Sequence, residues 1–251
     1  MGKIKNCFIN IIPISLLLAG CLPKKELKIY ESGYFKYSYL TNVSSYLGSK
    51  GECIVIMGFT DSGLEQEVLE VPEEIDGYKV ERIGVNDAYY DFSGIHLIKC
   101  SKNLKRLFIS KNVKFIEEFS GQKVDLFINS STKSYENIET SFNTIYLYKD
   151  VFVELGYPES YKRNPKQIQT FKAANVNFFK NLNNSDDDLY RIDHINDDEK
   201  IDKPNDPFRD GFSFDGWYLD SECTQKFDFD IVPDFCGNDV INLYAGWNTK
   251  I

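Results

Sequence analysis

Between Leu69 and Gly84 the apolar residues do not keep helical spacing. Val71, Ile75, Val80 and Ile83 return at intervals of three to five residues around an Asp76-Gly77 pair. Glycine accepts the positive φ that a tight turn needs, so Asp-Gly between two apolar stretches signals a turn. Upstream, Tyr34-Phe35-Lys36-Tyr37-Ser38-Tyr39 alternates large side chains with small or polar ones, which is a strand period. Gly51-Glu52-Cys53-Ile54-Val55-Ile56-Met57 is a second apolar run, and Gly48-Ser49-Lys50-Gly51 lies between the two as a turn. Together these stretches predict a β-hairpin. The chain is expected to be mainly β, a β-rich α+β class built from short strands and turns.

A pattern then recurs in degraded form. Ile95-x-x-Ile98-x-Cys100-Ser101-Lys102-Asn103-Leu104-x-x-Leu107 aligns with Leu104-x-x-Leu107-x-Ile109-Ser110-Lys111-Asn112-Val113-x-x-Ile116 at a shift of nine residues. Nine is too short for a complete coil of roughly 20–29 residues, so two registers compete. The strand is placed at Leu107–Ile109, because Val113, Ile116 and Phe119 then complete a unit. In the other register Cys100 stands where an apolar Ile is wanted, which reads as a core filler. Further strands are expected at Asp125–Ile128 and Thr144–Tyr148. Val80-Glu81-Arg82-Ile83-Gly84, with Pro72 before it and Ala88-Tyr89 after, resembles the leucine-rich repeats of BspA-type bacterial surface proteins. That resemblance implies a short, irregular repeat solenoid over residues 34–155. A single repeat cannot cover its own apolar side, so neighbours must stack, and the hairpin Tyr34–Met57 would cap the N-terminal end. Such an array presents a sheet face and loops to a ligand.

Residues 156–173, with Pro158, Pro165 and clustered polar side chains, read as a linker. Beyond it, Val176-Asn177-Phe178-Phe179, then Lys203-Pro204-Asn205-Asp206-Pro207-Phe208-Arg209-Asp210-Gly211-Phe212-Ser213-Phe214-Asp215-Gly216-Trp217-Tyr218, then Leu243-Tyr244-Ala245-Gly246-Trp247 resemble the Listeria–Bacteroides (internalin B-type) repeat. The resemblance implies a small β-grasp-like module over residues 174–248. The residues agree by themselves: Ile241, Leu243, Ala245 and Trp247 share one strand face, with Asn242 and Tyr244 on the other. Both tryptophans read as core anchors. Leu189, Arg191, Asp193 and Ile195 against Tyr190, Ile192 and His194 give a less clean alternation. The stretch 234–238 looks inserted before the last strand.

The N-terminus carries an address. Lys3 and Lys5 precede an apolar run from Cys7 to Ala19, too short for a span of about 20 residues, and so a signal peptide. Its end, Leu18-Ala19-Gly20-Cys21, resembles the lipobox of bacterial lipoproteins. The resemblance implies cleavage of residues 1–20 between Gly20 and Cys21, acylation of Cys21, and a tether over residues 21–33. Two or more acyl chains hold a protein firmly at ~0.8 kcal/mol per buried methylene. The expected location is the extracellular face of the bacterial cell membrane. Losing Lys3 and Lys5 moves the formal charge from −9 to −11. So acidic a chain is a poor match for nucleic acid, whose affinity comes from basic side chains displacing counterions. It also leaves membrane attachment to the lipid.

After cleavage and acylation four cysteines remain, and an even count in an exported chain permits disulfides. Cys223 and Cys236 would pair locally, Cys53 with Cys100. There is no C-x-x-C, and His96 and His194 are the only histidines, a poor set for zinc. No G-x-S-x-G elbow or glycine-rich phosphate loop occurs. His96 and Cys100 lie in β-type spacing with no third orienting group. The acidic stretch 185–199, including Asp186-Asp187-Asp188 and Asp197-Asp198-Glu199, lacks the calcium-loop pattern and reads as a solvated loop. No catalytic residue and no cofactor are expected. The residues point to adhesion, or contact with an extracellular protein or glycan. The alternatives are a spacer of the cell envelope and, less favoured, an extracellular hydrolase.

Overall fold

Strands carry nearly all of the regular structure, as the spacing predicts. The computed structural model describes residues 25–26, 28–40, 52–84, 90–91, 98–99, 102–116, 119–120, 124–129, 142–148, 170–182, 188–235 and 237–250. The only helix among them is the single turn Asp61–Leu64, capped by the Thr60 hydroxyl, and none is long and apolar enough to cross a membrane. The signal segment, Gly20, Cys21, the Gly48–Gly51 turn, Ala88-Tyr89, His96, Cys100, Asp186-Asp187 and Cys236 lie outside the described residues.

The expected hairpin forms. Phe35–Leu40 runs antiparallel to Cys53–Phe59, Tyr37 opposite Ile56. Tyr30–Ser32 adds an outer strand, so the segment assigned to a tether already contributes to a sheet by residue 30. On the other side Cys53–Phe59 pairs in parallel with Tyr78–Ile83, which in turn pairs with Phe115–Ile116. The Asp76-Gly77 turn joins Glu74–Ile75 to Tyr78–Ile83, with φ of 53° and 79° at its two central residues. Both positive angles mark the two-residue hairpin turn that Asp-Gly favours.

A second sheet is parallel throughout, in the order Thr170–Ala173, Phe142–Leu147, Val124–Ile128, Arg106–Ile109, Val68–Glu70. Leu107 pairs with Leu126, and Leu126 with Ile145, so one strand follows the next at a step of 19 residues. Leu69 pairs with Leu107 at twice that step. The nine-residue ambiguity resolves into two different sheets: Arg106–Ile109 is the parallel-sheet strand, and Ile98–Lys99 pairs with Phe119–Ser120 instead. Strand side chains alternate faces. Leu107, Ile109, Leu126, Ile128, Ile145 and Leu147 therefore point inward, into one core with Ile54, Ile56, Val80 and Ile83 of the first sheet. Phe108, Phe127 and Tyr146 point the opposite way.

The fifth parallel strand, Thr170–Ala173, falls in the stretch assigned to the linker. Thr-Phe-Lys-Ala has one large apolar side chain and no period to read. Its place comes from backbone pairing with Phe142–Leu147. Only Ala174 and Asn175 then separate it from the next sheet. That C-terminal sheet runs Leu189–Asp193, Val176–Phe179, Ile241–Thr249, Phe212–Tyr218, with a parallel central pair and antiparallel flanks. Val176, Phe178, Ile195, Ile201, Trp217, Leu243 and Ala245 fill its core. Trp217 is buried edge-on to Phe178 at 5.0 Å. Trp247 is half-buried, and its indole N–H donates to the Lys180 carbonyl at 2.6 Å.

Candidate functional site

One residue from each of the three central parallel strands builds an outward aromatic ladder. Phe108 stacks on Phe127 at 4.5 Å and Phe127 on Tyr146 at 4.6 Å, and His194 of the C-terminal unit closes the stack at 4.7 Å. The sequence reading left this sheet face open to a ligand, but the C-terminal unit covers it. Ile192 and Ala174 join the aromatics in one buried cluster. The covering is charged as well as apolar, because strand Leu189–Asp193 brings Arg191 over the ring of Phe108 at 3.5 Å, with Arg106 over Phe108 and Phe127 at 5.0 and 4.8 Å.

Asp193, fully buried, is the centre of the contact. It accepts hydrogen bonds from Arg106, from Arg191 at 3.2 Å and from the His194 backbone N–H at 2.6 Å. Arg106 also reaches Asp202, and Arg191 reaches Glu70 at 3.2 Å. Burial pushes the Asp193 carboxyl up, and the two guanidinium groups and the His194 N–H pull it back down. Burial likewise holds the His194 ring below its usual range, while its Nδ1 lies 3.1 Å from the Ala173 carbonyl. Asn129, at the end of a parallel strand, donates to the Leu189 and Tyr190 carbonyls. A buried ionic network of this kind is strongly destabilised when one partner goes, because the others are left charged and dry.

Beside this network a cleft of about 480 Å³ opens between the two units. One wall is the segment Glu70–Glu74 with the outer ends of the Phe108 and Phe127 strands. The other holds Lys180, Tyr190 and Arg191, and the segment from Asn205 to Phe208 forms the rim. Lys180 donates to Glu73 at 2.7 Å. The Tyr190 hydroxyl donates to the Asn205 carbonyl at 3.1 Å, and the Asn205 N–H donates to Glu70 at 3.2 Å. Burial, then the Glu70 charge, raises the Tyr190 phenol well above its ordinary range. Two buried polar atoms of the wall side chains have no hydrogen-bond partner, Glu73 Oε1 and Arg191 Nε. On the rim Phe208 is 76 % exposed. The lining contains no histidine or cysteine, and its one serine, Ser110, spends its hydroxyl on the Pro72 carbonyl at 3.3 Å.

The residues singled out from sequence lie elsewhere. Cys53 is buried opposite Leu40. Cys223 is half-buried in a turn with φ 58°. Its thiol donates to the Ser221 and Ala245 carbonyls at 3.7 and 3.8 Å, and burial pushes it up. The partner assigned to each, Cys100 and Cys236, is outside the described residues. In the acidic stretch Asp188 accepts the Leu182 N–H at 2.8 Å and Glu199 the Asn196 N–H at 2.9 Å. No group of three or more His, Cys, Asp or Glu among the described residues could hold a metal ion. Sequence reasoning did not single out Arg106, Lys180, Glu70 or Glu73. It did register the broken alternation around Arg191 and Asp193, and that was the one local sign of the contact: charged residues on the strand face where apolar ones belong.

Residues 175–246 match the family model of the Listeria-Bacteroides repeat domain, a family found in surface proteins. No curated protein and no solved structure matches the chain.

Proposed function

We propose that this chain is a bacterial surface lipoprotein, held by acyl groups on Cys21, that makes contact with an extracellular protein or glycan. Its body would be a short BspA-type leucine-rich repeat array, read in the 19-residue step of the parallel strands, fused to a β-grasp-like Listeria–Bacteroides repeat. The observation that carries the contact reading is the cleft between the two units, lined by charged side chains of both and by the exposed ring of Phe208. Concave sites with a few convergent polar groups are the usual places for ligands, and nothing in this lining is arranged as nucleophile and base.

Radiolabelled palmitate tests the anchor. Wild-type protein should take up the label and Cys21→Ser should not; label retained by Cys21→Ser overturns the assignment. Saturable binding of the purified protein to extracellular matrix proteins or envelope glycans tests the contact reading. A second reading, an inert spacer of the envelope, draws support from the covered aromatic face, since a locked pair of units makes a stiff strut. Absence of any saturable partner would favour the spacer.

A further inference from the structure

His194 is the one histidine among the described residues, and it sits where the two sheets meet. Its ring closes the aromatic ladder on Tyr146, with centroids 4.7 Å apart and planes 29° off parallel. Its Nδ1 lies 3.1 Å from the Ala173 carbonyl. A carbonyl only accepts, so Nδ1 carries the proton of the neutral ring and Nε2 takes the second one. Histidine is the side chain whose ordinary titration falls between about pH 5 and 8. Mild acid can therefore put a full charge into a half-buried contact.

Charges bear on the ring from each element packed against it. Burial acts first and disfavours the charged ring; Lys172 on the outermost parallel strand and Arg106 on strand Arg106–Ile109 oppose it too, whereas Glu199 favours it. The Tyr146 face would also attract a cation, and Asp125 bears on that phenol. Asp193, the chain neighbour, is already shared by Arg106, Arg191 and the His194 N–H, and Asp202 answers Arg106. Burial prevails and holds the ring below its ordinary 6.5. Between the folded value and 6.5 the open state carries a proton that the closed state refuses. The ring's share of the stability is thus complete above pH 6.5 and is lost as the pH falls through the folded value. Glu199, held below 4.5 by the Asn196 N–H, stays charged through mild acid. Asp193 works in the opposite sense: burial raises its carboxyl, so a proton it takes up in acid belongs to the closed state.

We propose that His194 is an acid-released latch: a second proton on its ring loosens the C-terminal sheet from the parallel sheet and lets water reach Phe108, Phe127 and Tyr146. The latch needs no anchor; on a surface protein, as read above, the pH it senses is that of the medium. The test uses the full chain. Isotope-labelled histidine gives magnetic-resonance signals for His96 and His194, the two histidines of the sequence, and His194→Phe identifies the second by removing it. That variant keeps a ring against Tyr146 without a proton site. His194→Asn, which keeps a donor for the Ala173 carbonyl, serves if the first fails to fold. Hydroxyl-radical footprinting, read by mass spectrometry, follows solvent access to Phe127 and Tyr146. In the wild type the His194 midpoint should lie below 6.5, and oxidation of the ladder should rise as the pH falls through it. The open fraction should grow tenfold for each unit that separates the midpoint from 6.5. In the variants oxidation should not change with pH. A midpoint at or above 6.5 overturns the proposal, as does a wild-type ladder that stays dry down to about pH 5. A rise that persists in the variants assigns the pH dependence to the carboxylates and overturns it as well.

Discussion

Asp193→Ala is the sharpest perturbation of how the two units hold together. The side chain is fully buried, and its partners Arg191 and Arg106 are 4 % and 20 % exposed. Removing the carboxylate strands part of two guanidinium groups in a dry contact and leaves the His194 N–H without its acceptor. Breaking a buried pair by deleting one partner costs about 3–5 kcal/mol. Arg106 keeps Asp202 and Arg191 keeps Glu70, which places the expected loss near the lower end, about 3 kcal/mol. For a chain of this size roughly 2–4 °C accompanies each kcal/mol, so the melting temperature should fall by about 6–12 °C. Scanning calorimetry would measure it. Because the same contact couples the two sheets, the single transition should also split into two. A double-mutant cycle adding Arg191→Met should recover part of the loss, since the stranded charge is removed with its partner. A loss below about 1 kcal/mol with one undivided transition would refute the view that Asp193 locks the units.

Three further outcomes follow from the packing. Leu126→Ala empties a fully buried site in the middle parallel strand and should cost about 2–5 kcal/mol in chemical unfolding. Gly246→Ala puts a Cβ into the Tyr218 ring and should cost about 1–3 kcal/mol, whereas the same substitution made in a Tyr218→Ala background should add little further loss. Tyr218 donates its phenol proton to Asp215, which raises its pKa to about 12. A raised folded-state pKa gives stability that is present below the ordinary tyrosine value and lost as pH rises through the folded one. Phenolate absorbance should therefore show Tyr218 titrating near pH 12, and Asp215→Asn should move it back toward 10.0; an unmoved titration would sink the assignment.

Much of the architecture was legible because β-structure writes a local signature. Alternation placed the hairpin at Phe35–Leu40 and Cys53–Phe59, Asp76-Gly77 marked the turn between Glu74–Ile75 and Tyr78–Ile83, and Leu107–Ile109 and Asp125–Ile128 fell on parallel strands. Of the C-terminal strands, Ile241–Thr249 was visible from its apolar face, and Val176–Phe179 from the resemblance to the Listeria–Bacteroides repeat. Thr170–Ala173 was not visible, since an outer strand of the described sheet, half covered, need not be apolar.

The sequence by itself determined that the chain would be built from strands, where many of them lie and, for the clearly alternating ones, which side chains share a face, because period two is a property of neighbouring residues. Only the tertiary structure decided that the aromatic ladder of the parallel sheet is covered, and where a cleft opens beside it. Its determinants are pairs of opposite charge 87 residues apart in Arg106–Asp193, 107 in Lys180–Glu73 and 121 in Arg191–Glu70. Along the chain each of those side chains looks like an ordinary surface charge. The water that would make it ordinary is excluded only when the two sheets close over it.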